Sequence, residues 1–325
     1  MQQTMQRRQF LKAAGAGVLA GALPFLPRCS SQEKQNVLFI SIDDLNDWVG
    51  ALGGHPDVKT PYLDKLASKS VLFTNAHCAA PACNPSRAAL MTGILPSTSG
   101  VYINPQPWRK SSVLEKAVTL PQHFMQHGYK AMGSGKIYHG NYPDPASWDY
   151  YWPSLETDRP GDPVPDDRPL NGIPGTAHFD WGPMQVKDED MSDWKVADWV
   201  IGELQKKHEK PFFLAFGLFR PHLPWYVPQK YFDMYPLEGI TLPEVKADDL
   251  EDIPEMGRDM ARTHDHENVT RYGEWKAAVQ GYLASITFAD ACLGRVIEAL
   301  ENSRYADNTT IVLWSDHGWH LGEKL

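Results

Sequence analysis

The chain has 325 residues, 42% hydrophobic and 22% charged, which suits one large α/β domain or two modest ones and excludes a disordered polymer. Its net charge of −9 argues against a general nucleic-acid binder, which presents a basic face. An anionic substrate stays open, because a site can be locally basic in an acidic protein. The 11 tryptophans and 13 tyrosines fit either packing or a cleft that stacks on sugar rings, and composition by itself favours packing.

At the N-terminus, Arg7 and Arg8 lead through Phe10, Leu11 and Lys12 into a Gly/Ala-rich apolar run over 13–26. That order of basic, apolar and polar regions reads as a signal peptide over residues 1–30, and the paired arginines resemble the twin-arginine export signal. Pro24 and Pro27 break the run, so a membrane-spanning helix is not expected. Cys29 before two serines resembles a lipid-anchor site, but Arg28 stands where such a site takes a small residue. The expectation is export through the twin-arginine machinery to the periplasm or the exterior, with a lipid anchor at Cys29 left open.

Next, VLFISI over 37–42 predicts a buried strand that ends in Asp43 and Asp44. Thr60 and Pro61 predict a helix start, with Leu63, Leu66 and Ala67 on one face. Residues 71–73 begin an extended piece leading to Cys83, and 85–92 read as a short helix closed by Gly93. A helix is expected over 120–127, a strand over 129–132, and a loop over 133–136. The stretch 141–183 holds nine of the 26 prolines and reads as a long insertion bordering the cleft. Ser192 caps a predicted helix over 192–208, with Val196, Val200 and Leu204 inward. A second buried strand over 212–219 runs into Arg220, Pro221 and His222. A long amphipathic helix over 275–300 precedes a third buried strand over 309–314, which ends in Asp316 and His317.

Strands alternating with helices imply a mostly parallel sheet sandwiched by helices. In such sheets, sites form beyond the carboxyl ends of the strands. Asp43, Asp44, His222, Asp316 and His317 all follow strand ends, so topology brings them to one rim. Singly, an acidic pair there is a solvated turn or a helix cap. A second pair after another strand makes a metal site the better reading, and an oxygen-rich set favours calcium or magnesium over zinc. Arg87, Lys136, His139 and His222 fall in the same places. With a cation they suit a tetrahedral anion, and one histidine can protonate a leaving oxygen. Only Cys78, Cys83 and Cys292 remain beyond the signal, too few for a disulfide framework. Cys78 and Cys83 are close enough in sequence to pair, at the cost of a strained intervening segment. Cys292 reads as a buried small hydrophobe on its helix.

Cys83-Asn84-Pro85-Ser86-Arg87, followed by Ala88 to Gly93, resembles the signature of the type I, formylglycine-dependent sulfatases. Asp43-Asp44, "GKIYH" over 135–139, "RPHLPW" over 220–225 and "SDHGWHLGE" over 315–323 match in order, and the likeness is greatest to the iduronate-2-sulfatase branch. The resemblance implies an alkaline-phosphatase-like sulfatase fold over 36–325 and hydrolysis of sulfate esters on a sulfated sugar or polysaccharide fragment. It implies oxidation of Cys83 to formylglycine (3-oxoalanine) by a maturation enzyme. It further implies one calcium ion on Asp43, Asp44, residue 83, Asp316 and His317. Arg87 would hold the nucleophile, while Lys136, His139 and His222 would hold the sulfate or its leaving oxygen. The helix near Pro85 would aim its amides at that anion. Members of this branch continue further, with more strands and a sulfate-contacting lysine, so the C-terminal part is expected to be missing. The rival readings are a phosphoesterase or phosphonate hydrolase of the same superfold, or an inactive glycan-binding remnant.

Overall fold

Seven strands and a set of helices make up the computed structural model, which describes residues 34–176, 179–246, 248–261 and 264–323. The predicted signal and Cys29 lie outside the described residues. Strands β1 (Asn36–Ile42), β2 (Lys130–Gly135), β3 (Tyr150–Trp152), β5 (Phe212–Leu218) and β7 (Thr309–Ser315) form one all-parallel sheet in the order β3-β2-β5-β1-β7. β4 (Trp181–Met184) and β6 (Trp225–Pro228) pair in a second, two-stranded parallel sheet.

The central strands have no polar face because both faces are covered. Every residue of β5 is buried, and Phe212, Phe213, Leu214, Phe216 and Leu218 are fully so. Each contributes about 1.5–3 kcal/mol by leaving water. Helix α1 (Pro61–Ala67), α4 (Ser192–Gln205) and the 27-residue α5 (Trp275–Glu301) belong with one core layer. Helix α2 (Cys83–Thr92) and α3 (Leu120–Gln126) belong with the other.

Several local expectations change. β2 runs to Gly135 because small residues are required there. A Cβ at Gly133 would meet the Tyr151 ring at 2.5 Å, and one at Gly135 (φ +77°) would meet the Gly217 carbonyl at 2.0 Å. Residues 71–73 form no strand; Val71 and Phe73 are 81% and 77% exposed. β7 is half-buried rather than buried: among the described residues it pairs only with β1, and Val312 is exposed. The stretch 141–183 contains two short strands, β3 and β4. Asp180 organises its far end by accepting the amides of Leu170, Asn171 and Trp181 and the Tyr226 hydroxyl.

Two caps come from distant chain rather than from the local residue. Ser192 does not cap α4: Met191 holds that position, and Asp162 accepts the Ser192 amide at 2.8 Å. That helix stops at Gln205, with His208 Nε2 paired to the Glu203 carbonyl. Thr60 likewise makes no side-chain cap, because its hydroxyl faces Asp64 and the Gly50 amide. Asp290 of α5 instead accepts the amides of Tyr62 (3.1 Å) and Leu63 (2.7 Å).

Asp290→Ala therefore orphans two helix-start amides and is expected to cost about 1–3 kcal/mol in urea unfolding. Burial pushes the Asp290 carboxyl up to about 6. The folded state then binds more protons than the unfolded one between about pH 4 and about pH 6, so this group makes stability fall as pH rises through that window. Asp290→Asn should reduce that slope, measured as unfolding free energy against pH.

Candidate active site

The register of the parallel sheet sets the site. Ile42 pairs with Leu218 on one side and Ser315 on the other, while Gly135 pairs with Gly217. The next residues along the four strands are Asp43, Phe219, Asp316 and Lys136, which emerge side by side on one rim. The Asp43 amide still donates to the Leu218 carbonyl and the Lys136 amide to Gly217, both at 3.0 Å. Residue 83 meets them from α2.

Arg87 lies at the centre of this rim with its side chain fully out of water. Its Nε donates to Asp316 Oδ2 (2.8 Å) and Nη2 to Asp43 Oδ1 (2.9 Å). Nη1 reaches the Ser41 hydroxyl (3.1 Å) and the carbonyls of Lys136 and Ile137. These are the hydrogen-bond partners of Arg87 among the described residues, and Cys83 is not one of them. The guanidinium thus fixes two carboxylates; it does not hold the sulfur directly, as sequence reasoning expected. Asp43 also pairs with Lys136 Nζ. Burial alone would raise the Asp43 carboxyl, but the charges of Lys136 and Arg87 hold it well below the usual carboxylate range. Asp316 goes the other way: burial, with the charge of Asp43, pushes it up to about 6 despite Arg87.

Cys83 opens α2 in its first turn, two residues earlier than expected. The missing amide of Pro85 costs nothing in that turn. The Asn84 amide is already taken by Asn104 Oδ1 (2.9 Å), so the helix start offers an anion the Cys83 amide rather than a row of donors. Cys83 Sγ lies 3.2 Å from His317 Nε2 and 3.6 Å from Lys136 Nζ. Burial opposes ionisation of the thiol, but hydrogen bonds from His139, His222 and His317 outweigh it and lower it to about 3. The three thiols beyond the signal are free: Cys83 and Cys292 are buried, and Cys78 is exposed.

The side chains of Asp43, Cys83, Asp316 and His317 offer ligand atoms within 4.8 Å of one another. Asp44 joins through His317, whose Nδ1 is 2.7 Å from Asp44 Oδ1. That contact is off the line of a hydrogen bond, and the buried oxygen accepts none from the described residues. Asp44 has φ 63°, in the left-handed region that non-glycine residues seldom occupy. It is held there by its amide, which donates to Asp316 Oδ1 (3.1 Å), and by its carbonyl, which accepts from the Tyr282 hydroxyl (2.7 Å). Burial disfavours a charged imidazole at His317, yet the adjoining Asp44 carboxylate, Cys83 and the charge of Asp316 push it up to about 12. The carboxylates around His317 thus favour its charged form as long as no cation balances them.

His222 is set by its Nδ1, which donates to the Leu223 carbonyl at 2.6 Å. Burial lowers its pKa, but Asp43 raises it to a net upward shift. The turn that carries it is fixed by Asp193, which accepts the amides of Phe219 and Arg220 at 2.8 Å each. His139 Nδ1 is buried with no hydrogen-bond partner among the described residues. All nine sequence-predicted site residues thus converge on one rim. Sequence reasoning missed Ser41, Ser86, Asn46 and Tyr282. Ser86 donates to the Asp316 carbonyl at 2.5 Å, and Asn46 Nδ2 to the Trp319 carbonyl at 2.9 Å. The one available signal was a serine inside the apolar run VLFISI.

Carboxylates behind, cations in front and a nucleophilic residue between them are the parts of a metal-assisted anion-transfer site. Comparison with known proteins agrees. The Sulfatase family profile matches residues 35–325, and the twin-arginine translocation signal profile matches 4–24. A protein of Formosa agariphila named "Sulfatase" is 43% identical over 307 residues, covering 90% of this chain and 60% of that protein. Human "Iduronate 2-sulfatase" is 34% identical, covering 90% of this chain and 56% of its own length. The chain thus spans little more than half the length of these relatives. Among solved structures, a phosphonate monoester hydrolase of Silicibacter pomeroyi superposes with a TM-score of 0.70 at 24% identity, covering 90% and 64% of the two chains. That likeness shows the shared alkaline-phosphatase-like fold.

Arg87→Met would leave Asp43 and Asp316 buried without their shared counter-charge. The expected loss is about 3–5 kcal/mol of unfolding free energy, read from urea melts. Arg87→Lys should recover only part of it, because an ammonium cannot span both carboxylates and the carbonyls of Lys136 and Ile137.

Proposed function

The chain belongs to the sulfatase family, and from that membership we propose that it is a sulfuric ester hydrolase whose catalytic domain spans 36–325 behind an export signal over 1–30. The single observation that carries this reading is the placement of Cys83 beside the carboxylates of Asp43 and Asp316, with Lys136 and His317 against its sulfur. In the active form Cys83 is oxidised to formylglycine by a maturation enzyme. Its hydrate supplies one hydroxyl to take sulfur and a second to release it, which a serine or thiol lacks.

The residues present fit a calcium ion. Asp43, Asp44 and Asp316 are hard oxygen donors, and the buried Asp44 Oδ1, with no hydrogen-bond partner among the described residues, lies 2.7 Å from His317 Nδ1. Residue 83 and His317 complete the set, the imidazole being the weakest donor to so hard an ion. When bound, the ion polarises sulfate oxygens and balances the carboxylates. Arg87 keeps Asp43 and Asp316 in position, since its Nε and Nη2 are spent on them. Lys136, His139 and His222 hold the sulfate. His222, with Nδ1 committed to a carbonyl, presents Nε2 to give a proton to the leaving oxygen.

The substrate class we infer is a sulfated sugar from an extracellular polysaccharide, met after twin-arginine export to the periplasm or beyond. The relatives' names support it, one being an iduronate sulfatase and another, 29% identical, an "Ulvan-active sulfatase" of Formosa agariphila. The aromatic-rich loop from Tyr142 to Trp181 forms one wall of the sugar cleft.

Three outcomes are expected. Peptide mass spectrometry of protein made beside a maturation enzyme should find an aldehyde at Cys83 and unmodified thiols at Cys78 and Cys292; a thiol at all three positions would refute the modification. Hydrolysis of an aryl sulfate should require calcium, and Asp44→Ala should lose both bound calcium and turnover. Lys136→Met should lower kcat by about 10²–10³-fold. Turnover of phosphate or phosphonate monoesters with no sulfate ester cleaved would move the assignment to the phosphonate hydrolases of the same fold.

A further inference from the structure

One further cation stands on this rim outside the set just assigned. Arg159 belongs to the loop between β3 and β4, and three contacts fix that loop. The Asp158 carbonyl accepts the Gly135 amide at 2.8 Å, next to Lys136. The Asp158 carboxylate pairs with Arg159 Nη1 at 2.8 Å. The Arg159 guanidinium lies 3.7 Å from the centre of the Phe219 ring. The same ring is 4.6 Å from the His222 ring and 5.1 Å from Lys136 Nζ. Arg159 is therefore one aromatic ring away from two of the groups assigned to the sulfate.

Its surroundings differ from those of the other two arginines here. The Arg87 and Arg220 side chains are 0% and 2% exposed and act within the fold, whereas Arg159 is 21% exposed. Among the described residues Arg159 hydrogen-bonds only to Asp158, leaving Nε and Nη2 for a ligand. Stacking and pairing hold the fork in place, so little side-chain freedom is lost when an anion docks on it.

We propose that Arg159 forms a second anion subsite, which takes a carboxylate or a second sulfate on the same sugar while the scissile sulfate sits at residue 83. Phe219, half-buried, lies between the two subsites and sets their spacing. The substrate class then narrows from a sulfated sugar to a doubly anionic one. This rests on the sulfate site proposed above, and the test separates the two.

The test is calorimetric titration of the full chain with calcium present and Cys83 unmodified, so that no ligand is consumed. The probes are inorganic sulfate, a hexose monosulfate, the corresponding hexuronate sulfate and a hexose disulfate. The hexuronate sulfate, the disulfate or both should bind about tenfold more tightly than the monosulfate, as one charge-assisted, partly exposed contact provides. Which of the two gains identifies the second anion. Arg159→Gln should abolish the preference and leave the monosulfate within about twofold of its original affinity, and Arg159→Lys should restore part of it. Equal affinities for all three sugars, a preference that survives in Arg159→Gln, or an equal loss for every probe would each overturn the subsite. Failure of inorganic sulfate and every sugar to bind would overturn the sulfate site itself, and the subsite with it.

Discussion

A single buried guanidinium holds this rim together. Arg87 ties the end of β1 through Asp43, the end of β7 through Asp316, the body of β1 through Ser41 and the turn after β2 through two carbonyls. A charge taken wholly out of water is tolerable only when its donors are satisfied and its counter-charges are close. Here both conditions are met by groups that also make up the candidate metal site. The same bonds that stabilise Arg87 aim the carboxylates, so geometry for function and compensation for burial cannot be separated. The cluster still holds an excess of negative groups in front of Arg87. The charge on His317, the Lys136–Asp43 pair and a bound cation are alternative ways to balance it.

Much of this was legible in the sequence because it follows from periodicity and topology. Apolar runs over 37–42, 212–219 and 309–314 read as strands of a parallel sheet, and each was followed by charged residues or histidine. Parallel strands then forced Asp43, His222 and Asp316 to one rim. The motif from Cys83 to Arg87 supplied the residue between them. What stayed hidden were bonds between residues far apart in sequence. Tyr282 sits among apolar positions of α5 and looked like packing, yet its hydroxyl fixes the carbonyl of Asp44 and accepts the Asn46 amide. Asp290 and Asp162 cap helices that local rules assigned to Thr60 and Ser192. No short-range signal marks a cap supplied from another element.

The loop over 141–183 shows the limit of reading composition. Its prolines suppressed any helical or strand pattern, yet two strands form because neighbouring elements supply the pairing: β3 on β2, and β4 on β6. Carboxylates replace the missing regular hydrogen bonds. Asp180 gathers four donors, and Asp162 ties the loop to the Ser192 amide and to Arg220. The Asp158–Arg159 corner reaches the candidate site's rim through its backbone, the Asp158 carbonyl accepting the Gly135 amide. A proline-rich segment here is a precisely fastened strap whose fastening points are acidic.

Asp316 poses the opposite problem. It follows β7, which among the described residues pairs with β1 alone and has alternate residues exposed. Such a strand by itself holds its last residue loosely. The position is instead fixed from the site side. Arg87 grips one carboxylate oxygen, the Asp44 amide donates to the other, and Ser86 takes the backbone carbonyl. Asn46 then clamps the turn beyond, at Trp319. All four anchors belong to the segment after β1 or to α2, so the acidic end of β7 is positioned by the elements it must work with. Loosening of the β7 edge would therefore reach the carboxylate cluster only after those four contacts had given way.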